Sequence, residues 1–260
     1  VRRVALIGPS DSSGGDGLQA DLKTLTGFQV SGATVITSLI IRDADGIRRL
    51  EAIGLDLLRE QLAAVLGAPG TEAAKTGLLL SREAVELVGQ GLDEYQVKHV
   101  VVDPVLSAEG DGDVLDKETI AAIVGLLFPL ATLVTPNLAE ASLLAGLPVD
   151  SQAAMREAAK ALKQLGPRYV CITGGHLPGN HVYDLLYDGE RFVGWDAPKV
   201  QGRAFQGAGT TFAAAVTAGL AKGQEVREAV EIAQRYVAAA IRWAFKVDKG
   251  PAPVNHFVKP

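Results

Sequence analysis

One feature limits this chain more than any other. Short apolar or β-branched runs alternate with helix-length segments along most of its length. Residues 3–8, containing Val4-Ala5-Leu6-Ile7-Gly8, read as a buried strand, followed by a Gly-rich turn and a helix to about Gly27. Residues 33–41 (ATVITSLII) are nearly continuous in β-branched side chains, as in a strand covered on both faces. The spacing of Leu57, Leu58, Leu62 and Val65 predicts a helix over 55–66. Further helices are expected over 81–92, 117–127, 138–144 and 151–165, and strands over 72–77, 99–103, 132–135 and 169–173. Such repetition implies an α/β protein with a parallel sheet and helices on both faces. Residues 182–187 and 191–195 flank Asp188-Gly189, a hairpin signal. The end is helical: 210–222 is rich in Ala, and Val226, Val230, Ala233, Val237 and Ile241 form one apolar stripe. No change of pattern marks a second domain. With 260 residues, 48% of them apolar, residues 1–260 suffice for one domain around one core.

Composition excludes several roles. A formal charge of −5, with both signs interspersed, leaves no basic footprint for nucleic acid or an anionic membrane. The longest apolar stretch, 120–134, is broken by Pro129 and too short to span a bilayer. No secretory pattern is visible, and the single cysteine, Cys171, excludes an intrachain disulfide, so the cytoplasm is the expected location. Cys171 lies in an apolar run and reads as an inert thiol. His99 and His181 have no partner at metal-ligand spacing, and Trp195 and Trp243 read as packing residues.

In open parallel sheets, ligands bind beyond the carboxyl ends of the strands. Four groups fall there. Residues 10–17 (SDSSGGDG) follow the first strand; they suit close approach of a ligand, and equally a capped helix start. Asp103-Pro104 ends one strand, and Thr135-Pro136-Asn137-Leu138-Ala139-Glu140 ends the next. A carboxylate with Asn and Glu close by could hold hydrated magnesium near a nucleotide, while Asn137 equally reads as a helix cap. Thr173-Gly174-Gly175-His176 is a third strand end. Gly207-Ala208-Gly209-Thr210-Thr211 opens an Ala-rich helix, where backbone N–H groups can form an anion hole.

The blocks SDSSGGDGLQADLKT, AAKTG, VVVDPV, LVTPNLAEA, TGGH, GAGTT and APVNHF occur in the order found in hydroxymethylpyrimidine/phosphomethylpyrimidine kinases. They run from residue 10 to residue 257, and the chain resembles a divergent member of that family. The resemblance implies a ribokinase-like three-layer fold with a mostly parallel central sheet. It also implies transfer of a phosphoryl group from ATP to a hydroxymethylpyrimidine or its phosphate in thiamine biosynthesis. Two other readings stand beside it: a pyridoxal-type kinase, and a catalytically impaired homologue that only binds its ligand. By position, the resemblance places magnesium at Asp103 and Glu140, and the nucleotide at Asn137, Thr173 and Gly175. It places the catalytic anion hole at Gly207, Ala208, Gly209 and Thr210, and the substrate pocket at Pro9, Asp16, Arg42 and Leu78. A small-molecule substrate and a homodimer are the implied partners.

The departures from the family are concentrated at this site. Thr210 stands where the family has Cys, or Asp in the wider superfamily, as base for the substrate hydroxyl. A threonine hydroxyl is not ionised at neutral pH, so weak turnover is expected; should turnover be ordinary, Asp16 is the nearest candidate base by sequence. Arg42 stands where the family reads the pyrimidine with Gln, and a guanidinium can only donate. Pro9 replaces Gly, Asp16 replaces Ala, Thr173 replaces Lys, and Phe205 and Gln206 replace Thr and His. The opposite charges of Arg42 and Asp16 suggest that the two pair with each other inside the pocket; the alternative is that Arg42 turns outward or pairs with the adjacent Asp43 and Asp45.

Overall fold

The computed structural model describes residues 2–107, 115–200 and 204–260. Its centre is a nine-stranded sheet built from β1 (Arg3–Asp11), β2 (Ser31–Asp43), β3 (Gly46–Ala52), β4 (Thr71–Thr76), β5 (His99–Val102), β6 (Leu133–Val134), β7 (Tyr169–Ile172), β8 (His181–Tyr187) and β9 (Phe192–Pro198). The spatial order is β3-β2-β1-β4-β5-β6-β7-β8-β9. The six strands from β2 to β7 in that order are parallel; β3 and β8 run against them at the two edges, and β9 pairs antiparallel with β8.

Among the described residues eight helices cover the sheet: α1 (Gly17–Gly27), α2 (Leu55–Leu66), α3 (Arg82–Glu94), α4 (Lys117–Ala122), α5 (Leu138–Ala145), α6 (Gln152–Lys163), α7 (Ala208–Ala221) and α8 (Val226–Arg242). Successive strand residues point to opposite faces. Ala5 and Ile7 of β1 therefore join Leu58 and Leu62 of α2, Val85 and Val88 of α3, and Met155 and Leu162 of α6 in one core. Val4 and Leu6 face the other core, with Leu18 and Leu25 of α1, Phe212 and Val216 of α7, and Val230 and Tyr236 of α8. The three-layer arrangement follows from that alternation. Small side chains let α7 lie close against the sheet; Ala213, Ala214 and Ala215 are all buried. Cys171 is buried in the same layer, and burial pushes its thiol well above the ordinary range, so it is inert.

Several elements differ from the sequence expectation. β1 runs on to Asp11, with its register against β2 slipping between Gly8 and Pro9, where proline has no N–H to donate. β3 (GIRRLEA) has little apolar content because it is an exposed edge, and its charged side chains suit an edge. The helix expected over 117–127 ends at Ala122. It widens into a π turn over Ile123–Leu127 and a 3₁₀ turn over Phe128–Leu130, where Pro129 cannot continue the α ladder. Trp195 packs on the second core as expected, but Trp243, just beyond α8, is two-thirds exposed and does not. No helix among the described residues is long and apolar enough to cross a membrane.

Candidate active site

Three of the predicted groups lie at the carboxyl ends of parallel strands: residues 10–17 after β1, Asp103 and residues 135–140 after β5 and β6, and residues 173–176 after β7. Residues 207–211 instead follow a two-residue strand outside this sheet and reach the first group through contact with Gly15. Asp103 follows β5 and is buried. Asn137 caps α5 in a reciprocal capping box. Its side chain accepts from the Glu140 N–H at 2.9 Å, and the Glu140 carboxylate accepts from the Asn137 N–H at 2.8 Å. The Asn137 side chain therefore does act as the cap that the sequence allowed. Thr173, beyond β7, forms a parallel bridge with Asn137, and its N–H donates to the Pro136 carbonyl at 3.0 Å. The TPN and TGG segments are thereby one structural unit. Gly174 donates to Asp184 at 2.8 Å, which leaves Gly175 as an open turn position.

Gly207 begins α7 in the left-handed conformation, φ +79°. A Cβ there would collide with the Gly15 carbonyl, so the SDSSGGDG loop and the start of α7 touch backbone to backbone only because Gly207 is glycine. Gln206, just before the turn, donates to Ser13 Oγ at 2.9 Å. A two-stranded pairing of β10 (Phe205–Gln206) with β11 (Ala252–Pro253) ties the C-terminal APVNHF block to this turn. The Ala208, Gly209 and Thr210 N–H groups lie in the first turn of α7, where helix geometry leaves N–H groups without intrahelical partners.

The expected Arg42–Asp16 pair does not form. Arg42 Nε lies 3.0 Å from Asp11 Oδ2, with both side chains almost wholly enclosed. The reason is the extension of β1: Asp11 is registered beside Ile40, two residues before Arg42. Nor does Arg42 pair with Asp43, which takes Arg48 instead. Asp16 caps α1, accepting the Gly17 N–H at 2.9 Å, and also accepts a hydrogen bond from Thr210 Oγ1 at 2.6 Å. Pro9 and Leu78 sit at the ends of β1 and just beyond β4, and the Leu78 carbonyl accepts from Thr37 at 2.9 Å.

Two groups were not singled out from sequence. Lys75 of the AAKTG block is buried, with Nζ 2.9 Å from Asp21 Oδ1 and 3.8 Å from Asp103 Oδ2. Burial raises Asp21 to about 7 against the pull of Lys75, and burial raises Asp103 as well. Burial alone would lower Lys75, but attraction to Asp21 and Asp103 outweighs it and the ammonium is held. The second group is His256, buried beneath α7 with its Nε2 and Thr211 Oγ1 2.9 Å apart. The AAKTG and APVNHF blocks were the available signal, but only tertiary contact shows what these side chains meet.

His256 carries a pH prediction. Burial, helped by Lys23, pushes its imidazole down to about 4. The unfolded chain protonates it near 6.5. Between those values the unfolded state binds more protons, so this contribution is present above about 6.5 and lost as pH falls toward 4. After allowing for solvent screening, it amounts to at most about 2 kcal/mol. His256→Gln should therefore be less stable than wild type at pH 7.5, with the gap in urea midpoint narrowing at pH 5. An equal gap at both pH values refutes the assignment.

Residues 11–255 match the family described as phosphomethylpyrimidine kinase. The chain belongs to that family. Its relatives include the thiamine biosynthesis bifunctional protein ThiED of Geobacter sulfurreducens, 39% identical over 255 residues. That alignment covers 98% of this chain and 52% of the relative, so the chain spans about half of that longer protein. The hydroxymethylpyrimidine/phosphomethylpyrimidine kinase of Bacillus subtilis is 36% identical over 258 residues, covering 99% of this chain and 95% of the relative. Among solved structures, an ADP complex of Bacillus subtilis pyridoxal kinase superposes with a TM-score of 0.93 at 40% identity, covering 98% of this chain and 97% of that one. This phosphomethylpyrimidine kinase family member thus has the ribokinase-like fold of small-molecule kinases.

The family resemblance implies magnesium at this edge. Among the described residues no three or more His, Cys, Asp or Glu side chains gather as a protein cage for a metal. Asp103 and Glu140 supply two carboxylates. That set suits magnesium, which takes one or two carboxylates and completes its shell with phosphate oxygens and water.

Proposed function

We propose that this kinase transfers the γ-phosphoryl group of ATP to the primary hydroxyl of a hydroxymethyl heteroaromatic, hydroxymethylpyrimidine or its monophosphate, as in thiamine biosynthesis. One observation carries the reading: the glycine-opened start of α7 packs against the SDSSGGDG loop, on the sheet edge that also carries Asp103 and the Asn137–Glu140 capping box. Phosphoryl transfer depends mainly on positioning and charge neutralisation. The N–H groups of residues 208–210 are suited to hold the transferring phosphoryl oxygens. Asn137, Thr173 and Gly175 sit where the nucleotide phosphates would lie, and magnesium at Asp103 and Glu140 would neutralise their charge. Pro9, Asp16, Arg42 and Leu78 border the acceptor pocket.

A pyridoxal-type acceptor is the second reading, favoured by the superposition on a pyridoxal kinase over nearly the whole chain. The Arg42–Asp11 pair bears on this choice, because it engages the guanidinium at the position where the family reads a pyrimidine with an amide. A homodimer and a cytoplasmic location complete the proposal. Sedimentation velocity tests the first, and fractionation tests the second.

The site assignment is tested by nucleotide binding. Glu140→Gln keeps a residue able to close the capping box and removes only the charge. Calorimetry with Mg–ATP should show roughly 10- to 100-fold weaker binding, the scale of one charge-assisted hydrogen bond. Unchanged Mg–ATP affinity removes Glu140 from the metal site. ADP formation with hydroxymethylpyrimidine, its phosphate and pyridoxal then ranks the acceptors.

A further inference from the structure

We infer that Asp16 is the final acceptor of the substrate's hydroxyl proton, reached through the hydroxyl of Thr210. The inference rests on the kinase reading above and deepens it. Thr210 occupies the anion-hole turn, and its hydroxyl is too weak a base to take a proton and keep it. Its hydrogen bond to Asp16 Oδ1, at 2.6 Å, changes what that hydroxyl can do. The same carboxylate oxygen accepts the Gly17 N–H at 2.9 Å, so two donors converge on it. Both Asp16 and Thr210 are only partly buried, and Gly209 between the helix start and solvent is exposed, so the pair is reachable from outside.

The step balances without any further reactant. The acceptor oxygen bonds to the γ-phosphorus of ATP as the bond from that phosphorus to the bridging oxygen of ADP breaks. The acceptor's proton passes to Thr210 Oγ1 as the proton already on Oγ1 passes to Asp16. Thr210 ends unchanged, and Asp16 ends protonated and returns the proton to solvent. Thr210 and Asp16, both read as departures from the family on the resemblance alone, then act as one unit. The electrostatic surroundings are Asp21 on the same helix, Lys75 of β4 and Asp103 after β5, all of which interact with Asp16 across the site.

Substitution can separate proton acceptance from structure. Asparagine is as good a helix cap as aspartate and can accept from the same two donors. Asp16→Asn should therefore fold with unchanged thermal stability and bind acceptor with a similar KM, while kcat falls about 100-fold or more. Thr210→Val should lose a similar factor, Thr210→Ser should restore kcat to within about tenfold of wild type, and Asp16→Asn with Thr210→Val should lose no more than either alone. The assay follows ADP release from Mg–ATP with hydroxymethylpyrimidine and with pyridoxal. A kcat for Asp16→Asn within twofold of wild type, or losses that multiply in the double variant, overturns the relay and leaves the kinase reading standing. Absence of turnover by the wild-type protein with either acceptor overturns both.

Discussion

Lys75→Met should cost about 3–5 kcal/mol of folding stability at neutral pH, the largest effect expected of any single substitution at this edge. Lys75 is the cation between Asp21 and Asp103, and all three side chains are buried. Methionine nearly fills the same volume, so packing changes little while the carboxylates lose their counter-charge. They can relieve the cost only by taking up protons, and burial already raises both. The loss should accordingly shrink between pH 7 and pH 5. The wild-type sign agrees: the Asp21 carboxyl, held to about 7 against an ordinary 3.8, contributes stability below about 3.8 that is lost as pH rises through 7. Urea unfolding of wild type and variant at the two pH values measures the effect. A loss below about 1 kcal/mol at pH 7 would mean that the carboxyls are already neutral and Lys75 is not their counter-charge.

Gly207→Ala should damage activity more than any other single-methyl addition. Its φ of +79° is a conformation that costs a residue with a Cβ about 1–2 kcal/mol, and the added carbon runs into the Gly15 carbonyl. Either that loop or the start of α7 must move, and each carries part of the proposed site. Displacing a single backbone donor from an anion hole lowers kcat by roughly 100- to 1000-fold, and that is the expected range here. Gly209→Ala is the stability control, because a Cβ there meets nothing within 4 Å and its φ is unstrained. The control should melt at or above the wild-type temperature while Gly207→Ala melts below it. Equal melting and equal kcat for wild type and Gly207→Ala would show that the turn is not held against residue 15.

Most of the scaffold was legible because buried parallel strands and amphipathic helices leave periodic apolar marks. The expected helix over 55–66 coincides with α2, and the strand over 99–103 with β5 to within one residue. The missed elements lack that mark. β3 is a charged edge, and β10 and β11 are two-residue pairings between segments about 45 residues apart. The site was legible as a set of strand ends because chain order alone places those ends on one edge of a parallel sheet. Which side chains meet there was another matter.

What the sequence determined by itself was the layer architecture, the family, and the presence of Asp16, Arg42 and Thr210 in segments that the resemblance assigns to the site. Only the tertiary structure decided their partners. Opposite charge suggested Arg42 with Asp16, but ion pairing depends on distances of a few ångström. Those distances are set by how far β1 runs before it turns. Because β1 continues to Asp11, that carboxylate reaches Arg42 first, and Asp16 at the start of α1 is left facing Thr210 across the Gly15–Gly207 contact.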